Sequence, residues 1–406
     1  MARVAVLAML LAMVLVLALL PMPARANSVF ASGGLGEPEL EENARLRALG
    51  GAGVAEHGAS DFSLVNPASI AEAQHLILEA SLLAARRNVS TLHFGDETAS
   101  ETTFPSVRLV VRLPGAWILG GSFLHGTNGQ FGLVRPESTG APSVVEVDGR
   151  GGITYVRATL AKGLGPSLRL GVDFDVIGGS YHEEWERDFT DPGLETARDT
   201  IDVTWDRLGR WRVGAQIVRP HWTIGGVYET ERRLTLTERE RTAASDIRTT
   251  GIPLVIPSGF AAGFQISPGG GARLVGQYRR QNWSEESLTS DLVSFRPLVR
   301  YSVGIERPGN RGARSTLGRL PLRIGATYLN WPDLLPPVGA LDITGGSAKI
   351  DEWSVSLGSG LRTKDGGGAI DFSLEGGQRG AKEELGASET FFRLGLSLRV
   401  SDETWR

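Results

Sequence analysis

Arginine, aspartate and glutamate side chains recur at alternate positions along several apolar segments. The arginines among them could bind a carboxylate-bearing molecule. A guanidinium donates two parallel hydrogen bonds to a carboxylate, so an inward-facing row of arginines could hold an anionic ligand. Because Asp and Glu occur in the same rows, mutual ion pairs between these side chains are the competing interpretation. The candidate ligand contacts are Arg108, Arg157, Arg169, Arg212 and Arg393.

The second candidate group is the tripeptide Asn66, Pro67 and Ala68, followed by the helix-forming run from Ser69 to Ala73. Asn is a preferred N-cap residue, and Pro is favoured at the first position of a helix. The simplest interpretation is a capped helix. A further interpretation, that the amide of Asn66 holds this segment against a neighbouring wall, depends on the family resemblance described below.

No motif in the sequence supports an enzyme or a metal centre. The chain has no cysteine, no G-x-S-x-G nucleophile motif and no two histidines four residues apart. His182-Glu183-Glu184 could bind a cation, but adjacent charged residues in a predicted loop are more often solvated. Glu56 stands where a dinucleotide-binding G-x-G-x-x-G beginning at Gly51 would need glycine. We therefore expect no catalytic residue, no metal and no cofactor.

Strands must position the candidate side chains, because apolar residues occupy every second place from about residue 75 onward. Leu170, Val172 and Phe174 alternate with Gly171 and Asp173. Only a strand places two such sets on opposite faces. A water-soluble sandwich or propeller shows the same alternation, so this pattern alone leaves both classes open.

The connections between the strands favour a membrane barrel. Short Gly- and Pro-rich connections lie at 114–115, 162–166, 219–220, 267–271, 308–318 and 364–368. Long polar connections lie at 92–103, 127–150, 179–204, 239–253, 284–297, 331–349 and 379–388. Short turns at one rim and long loops at the other are typical of an outer-membrane barrel. We predict an all-β fold, a transmembrane antiparallel β-barrel of about 14 strands.

Tryptophans near the predicted strand ends agree with this class, because aromatic girdles mark both membrane interfaces of a barrel. The six that we assign to girdles are Trp117, Trp211, Trp222, Trp283, Trp331 and Trp353. The composition agrees as well. A mean hydropathy of −0.07 is too polar for a bundle of membrane helices, each of about 20 apolar residues. A net charge of −4 argues against nucleic acid as a partner.

The N-terminus has the features of an export signal. Residues 1–26 contain Arg3, an apolar run from Val4 to Leu20, and the small-residue site at 24–26. This order is typical of a cleaved signal peptide, and an uncleaved membrane anchor is the alternative. We therefore predict export to the outer membrane of a Gram-negative-type bacterium.

Residues 27–74 lie between the signal and the first predicted strand and lack its alternation. They contain a charged, helical-looking stretch from Glu37 to Leu49, a Gly-rich stretch at 50–53, and the capped run described above. We expect this segment to be a partly helical plug inside the barrel or across its mouth, and residues 75–406 to form the barrel.

With these features the chain resembles the FadL family of outer-membrane transporters for long-chain fatty acids and other hydrophobic compounds. The resemblance lies in four places: residues 47–70 with the Gly-rich stretch and Asn-Pro-Ala, and residues 105–126, 257–284 and 375–399. The last of these is also similar to an outer-membrane component of type IX secretion. The chain departs from many such barrels by ending in Trp405-Arg406.

The resemblance implies passive transport of long-chain fatty acids or other hydrophobic small molecules past a moving plug. It also implies contact with outer-membrane lipids and with the barrel assembly machinery. The alternative is a docking or scaffold barrel for a secretion or surface-protein partner. That role would need an exposed apolar patch, for which the loop at 331–349 is the candidate because it contains Trp331 and the pair Leu334-Leu335.

Overall fold

The computed structural model describes residues 28–31, 36–39, 41–59, 61–91, 96–137, 141–269, 271–283, 297–310, 313–331, 350–363 and 367–402. Fourteen strands cross the barrel, and four of them, β3, β6, β7 and β8, are each in two parts. The strands are β1 Leu76–Thr91; β2 Asp96–Arg112; β3 Trp117–His125 and Phe131–Glu137; β4 Ser143–Leu164; β5 Leu168–Phe189; β6 Ala197–Trp205 and Leu208–Val218; β7 Trp222–Glu229 and Arg232–Arg241; β8 Asp246–Ile256 and Gly259–Gly269; β9 Ala272–Gln281; β10 Leu298–Arg307; β11 Leu322–Asn330; β12 Asp351–Arg362; β13 Gly368–Arg379; and β14 Ala387–Asp402.

These strands form one closed antiparallel sheet. Each strand pairs with the next along the chain, and β1 pairs with β14 from Leu76 opposite Asp402 to Thr91 opposite Ala387. Closure pairs the first strand with the last, which a membrane-spanning sheet requires because lipid cannot satisfy backbone hydrogen-bonding groups. The predicted fold class and the count of 14 strands are confirmed.

The alternating pattern separates an apolar outer face from a polar interior. Val213 on β6 is 51% exposed on the outside, whereas its neighbour Arg212 is fully buried inside. Tyr278, Tyr301, Tyr328 and Trp353 lie directly opposite one another on four successive strands, which makes an aromatic row around part of the outer face. An apolar band with aromatic rows is what a lipid-facing barrel surface needs.

Four of the six girdle tryptophans lie on this outer face: Trp117, Trp211, Trp222 and Trp353. The assignment of Trp331 was wrong, because its side chain is fully buried and packs inside the barrel. Trp283 also packs against the interior apolar cluster. Both residues come directly after the end of a strand. Sequence alone does not show whether the side chain of such a residue faces the lipid or the lumen.

We call the end with the short turns periplasmic and the other end extracellular, following outer-membrane barrels. Several predicted long loops are in fact strand. β4 and β5 pair without a break from Ser143 opposite Phe189 down to Leu164 opposite Leu168. The extracellular halves of these two strands carry charged residues on their outer face. The sequence pattern predicts a loop there because few outward-facing residues are apolar.

The described residues of the N-terminal segment, 28–31, 36–39, 41–59 and 61–74, lie inside the barrel. Their side chains contact strands on opposite sides of the lumen, for example Arg45 with Glu306 on β10 and Asn43 with Glu79 on β1. The predicted helical stretch from Glu37 to Leu49 is only one helical turn, Ala44–Arg47. Its first residues, Glu37 and Pro38, pair instead as a short strand with Asn128 and Thr127. No helix in the described part of the chain is long and apolar enough to cross a membrane.

Candidate functional site

The N-terminal segment rests on glycines of the barrel wall. A Cβ atom at Gly171 would lie 2.4 Å from the carbonyl carbon of Pro67, and one at Gly325 would lie 2.0 Å from the backbone nitrogen of Gly50. Gly171 pairs with Gly214, and Gly304 pairs with Gly325, across neighbouring strands. We call the inward-facing set the glycine belt: Gly171, Gly214, Gly225, Gly263, Gly304, Gly325 and Gly358. The backbone of the segment can approach the wall this closely only because these residues lack a side chain.

Asn66, Pro67 and Ala68 lie at the centre of this contact. The Oδ1 atom of Asn66 accepts from the backbone N–H of Ala68 at 2.9 Å, and Pro67 begins the 3-10 helix Pro67–Glu72. The Nδ2 atom of Asn66 donates to the carbonyl of Val54 at 2.7 Å and to that of Ala215 on β6 at 3.4 Å. Asn66 therefore caps the helix, and it also links the helix start to the earlier residue Val54 and to the barrel wall at Ala215.

Two of the five candidate arginines converge on one carboxylate of the segment. Arg157 and Arg212 donate to the same oxygen of Glu41 at 3.0 Å and 2.8 Å. Both also donate to the carbonyl of Leu64. The Nε of Arg157 pairs with Asp175 at 2.5 Å. This cluster neutralises the guanidinium charges within the protein itself.

The other three candidate arginines are distributed along the lumen and are also paired. Arg108 binds Glu79 at 2.7 Å, and its guanidinium lies 4.3 Å from the ring centre of Phe62. Arg169 binds Glu72, whose other oxygen lies 3.1 Å from His57. Arg393 binds Glu37 at 2.8 Å. The structure thus does not gather the five arginines into one pocket, and their role as ligand contacts stays a prediction.

The extracellular half of the lumen contains a cluster of buried apolar side chains, beside the buried ion pairs of Arg87, Arg379 and Arg393. The apolar side chains come from the N-terminal residues 29–31 and from strands around the barrel, including Leu124, Phe131, Ile153, Tyr155, Ile177, Tyr181, Trp205, Leu234, Leu254, Ile256, Leu298 and Leu329. We call this region the apolar chamber. A lining of this kind disfavours water and favours hydrophobic molecules.

A small cavity lies where the apolar chamber meets the N-terminal segment. Its volume is about 70 Å³, and its walls include Tyr155, Ile256 and Leu298. Two buried donors also line it, Nη1 of Arg210 and Nε1 of Trp283, and neither has a hydrogen-bond partner among the described atoms. A space of this size holds only a few water molecules. The remaining space at the floor of the chamber is therefore small.

Sequence reasoning missed both of these donors. Arg210 is two residues from Arg212 on the same strand, so the alternation that selected Arg212 also places Arg210 inside. Trp283 was assigned to a girdle and could not have been found by pattern. The charge of Arg210 is met by Asp175 at 3.3 Å and by Glu229 at 3.6 Å.

The wall beside the chamber is interrupted. The ladder between β2 and β3 ends at Ser106 opposite Leu124, and within the described residues no ladder joins residues 96–105 of β2 to the second part of β3. Between its two parts β3 turns inward, and Thr127 and Asn128 pair with Pro38 and Glu37 of the N-terminal segment. The barrel wall has a gap at this level.

His182, Glu183 and Glu184 do not form a metal site in the described structure. His182 and Glu184 face outward, and Nδ1 of His182 lies 2.7 Å from Asp202. Glu183 faces the interior, where it accepts from Tyr181 and Trp185. Within the described residues no group of three or more His, Asp or Glu side chains is arranged to hold a metal ion.

No protein-family model and no curated protein sequence matches the chain. Solved structures match it over nearly its whole length. A FadL homologue of Pseudomonas aeruginosa superposes with a TM-score of 0.61 at 13% identity, covering 91% of this chain and 99% of that one. The toluene transporter TodX of Pseudomonas putida gives 0.56 at 14% identity, with 91% and 99% covered. The monoaromatic hydrocarbon channel CymD gives 0.54 at 16%, with 91% and 99% covered.

A closed barrel of 14 antiparallel strands with an apolar outer face and an interior N-terminal segment defines the class of outer-membrane β-barrels. Within that class the chain has the FadL-type fold, and the resemblance seen in the sequence is confirmed at the level of the fold.

Proposed function

We propose that this chain carries hydrophobic small molecules, long-chain fatty acids or other apolar compounds, passively across the outer membrane. Residues 1–26 act as a cleaved export signal, residues 27–74 as the plug, and residues 75–406 as the barrel. The three structures reported above are described as a FadL homologue, a toluene transporter and a monoaromatic hydrocarbon channel. Their substrates support this proposal for the present chain.

The observation that carries the proposal is the division of the lumen into an apolar chamber and an ion-paired plug. A general porin needs a water-filled polar channel. Here the extracellular half offers apolar side chains to an entering molecule, and the periplasmic half is filled by the N-terminal segment. A hydrophobic molecule gains free energy in the chamber, whereas a polar solute gains little.

Passage then requires the plug to move, because the plug fills the lumen and also borders the gap in the wall. Residues 37–38 of the plug pair with residues 127–128 in the interrupted part of β3, so movement of the plug also changes the edge of the gap in the wall. The gap lies between β2 and the second part of β3, at the level of residues 143–149 of β4.

Uptake into proteoliposomes tests the proposal. Purified protein is reconstituted and compared with empty vesicles for the entry of a hydrophobic fluorescent probe and of a hydrophilic sugar of similar size. We expect protein-dependent entry of the probe and no entry of the sugar. Equal entry of both would indicate a water-filled pore, and entry of neither would exclude transport in this form.

The docking alternative loses its main sequence support, because Trp331 is buried inside the barrel under the guanidinium of Arg379, which lies 4.0 Å from its ring centre. The rest of that loop, including Leu334 and Leu335, lies outside the described residues. If the probe enters vesicles equally with and without the protein, the result favours a scaffold role.

A further inference from the structure

The extracellular wall of the apolar chamber contains one buried carboxylate that no basic side chain of the described structure neutralises. Glu183 on β5 is 6% exposed and forms no salt bridge with any described residue. Its oxygens accept from the hydroxyl of Tyr181 at 2.7 Å and from Nε1 of Trp185 at 2.5 Å. Two neutral donors of this kind are suited to holding an ionised carboxylate in place.

Glu183 lies toward the extracellular end of β5, beside residues of the apolar chamber. It follows Ile177 and Tyr181, which line the chamber, on the same face of β5, and it pairs with Gly149 on β4 and with Ile201 on β6. The ring of Phe131 fills the space above Gly149. The negative charge is thus set among apolar side chains, where its field is weakly screened.

The other charges of the extracellular half do not compensate for Glu183. One cluster there contains three guanidiniums, those of Arg87, Arg379 and Arg393. They pair with five carboxylates, those of Glu37, Glu101, Glu352, Glu375 and Glu389. Carboxylates outnumber cations in that cluster too.

The arginines lower in the lumen already lie beside carboxylates. Arg157 and Arg212 share Glu41, and Arg210 is met by Asp175 and Glu229. A ligand carboxylate would therefore meet like charges there as well as guanidiniums, whereas an uncharged oxygen needs only a donor such as Nε1 of Trp283 or Nη1 of Arg210.

We infer that Glu183 is a specificity-determining residue that makes the channel select uncharged hydrophobic compounds, such as hydrocarbons and alcohols, over carboxylates of equal length. The inference rests on the proposed transport function and narrows its substrate class. Glu183 acts by repelling an anionic head group at the entrance of the chamber, so its effect falls on the acid and leaves the neutral compound unchanged.

The test compares initial uptake of radiolabelled dodecanol and dodecanoate at pH 8 in cells with and without the protein, at matched outer-membrane levels. We expect the wild type to favour the alcohol. Glu183→Lys raises acid uptake about tenfold with little change for the alcohol. Glu183→Gln moves the ratio in the same direction by a smaller factor and keeps the test valid where the lysine variant fails to assemble.

The matched control is Glu184→Lys, which makes the same charge change on the outer face of the same strand and should leave the ratio at the wild-type value. An unchanged ratio in both Glu183 variants, or wild-type preference for the acid, overturns the inference while leaving transport intact. Uptake of neither compound above background overturns the proposed transport function and the inference with it.

Discussion

The side-chain amide of Asn66 donates to the main-chain carbonyl of Val54 at 2.7 Å, twelve residues earlier in the chain. The same residue accepts from the backbone N–H of Ala68 with its oxygen. One side chain therefore fixes both the start of the 3-10 helix and the loop before it. This requires a group that donates and accepts at once, which Asn provides and Asp does not.

Substitution of Asn66 separates capping from anchoring. Asn66→Asp retains the cap but places a carboxylate against the carbonyl of Val54, so we expect a folded barrel with a displaced plug. Asn66→Ala loses the cap as well, at about 0.5 to 2 kcal/mol. The measurement is leakage of a small hydrophilic solute in matched cells. If Asn66→Asp leaks no more solute than the wild type, Asn66 acts only as a helix cap.

A methyl group on the glycine belt should lift the plug from the wall. A Cβ at Gly214 would lie 2.1 Å from Oδ1 of Asn66 and 2.8 Å from Cδ of Pro67. We expect Gly214→Ala to expose residues 41–74 to protease in the intact barrel. Gly226→Ala on the next strand is the control, because its Cβ would meet only the carbonyl of Ala261 at 3.9 Å. Equal resistance of residues 41–74 to protease in both variants would contradict the close contact between the plug and Gly214.

Arginine substitutions on the outer face can show which residues lie within the membrane. Val213 is exposed within the apolar band, whereas Thr235 faces outward on the second part of β7, above it. An arginine at the midplane of a barrel costs about 2 to 4 kcal/mol. Val213→Arg should therefore lower the yield of heat-modifiable barrel, and Thr235→Arg should not. Equal yields would place the membrane elsewhere.

Not every interior position of the barrel wall should tolerate substitution. Asp173 is buried between Arg157 and Arg212, and a side chain at Gly171 would collide with Pro67. Both positions belong to the contact between plug and wall, so neither serves as a tolerant lumen control.

The plug should loosen as pH rises through about 7. Burial raises the pKa of the Glu39 carboxyl to about 7, against the weaker opposing effect of Arg47. The folded segment therefore holds a proton between pH 4.5 and 7 that the released segment does not. Stability from this group is present at low pH and is lost as pH rises. Protease sensitivity of residues 41–74 should rise from pH 5.5 to pH 8, and Glu39→Gln should flatten this rise. Identical pH profiles would exclude Glu39.

The strands could be predicted from the sequence because each buries one face in lipid and the other inside, which imposes a period of two. The plug could not. Its course is fixed by single contacts with the wall, such as Arg45 with Glu306 and Gly50 against Gly325, and these join residues hundreds of positions apart without a local pattern.

The interior arginines were correctly placed on the inward face, but their partners were not foreseen. Glu41 and Glu37 lie in a stretch whose charges looked like a solvated helix. Glu183 was read as part of a loop because the apolar half of the alternation is weak above the membrane. Its inward direction follows only from the unbroken register between β4 and β5.

The most direct test of the central claim, that hydrophobic molecules pass only when the plug moves, is a reversible tether. A Cβ built at Gly395 would lie 3.5 Å from Cβ of Ala44, within the range that a disulfide needs. The chain has no native cysteine, so Ala44→Cys with Gly395→Cys contains the only two thiols.

Entry of a hydrophobic probe into proteoliposomes is measured with this double variant oxidised and then reduced, with each single variant as control. The account predicts that oxidation abolishes entry, that reduction restores it, and that the single variants respond to neither treatment. Full probe entry through a channel whose disulfide is verified would contradict the account.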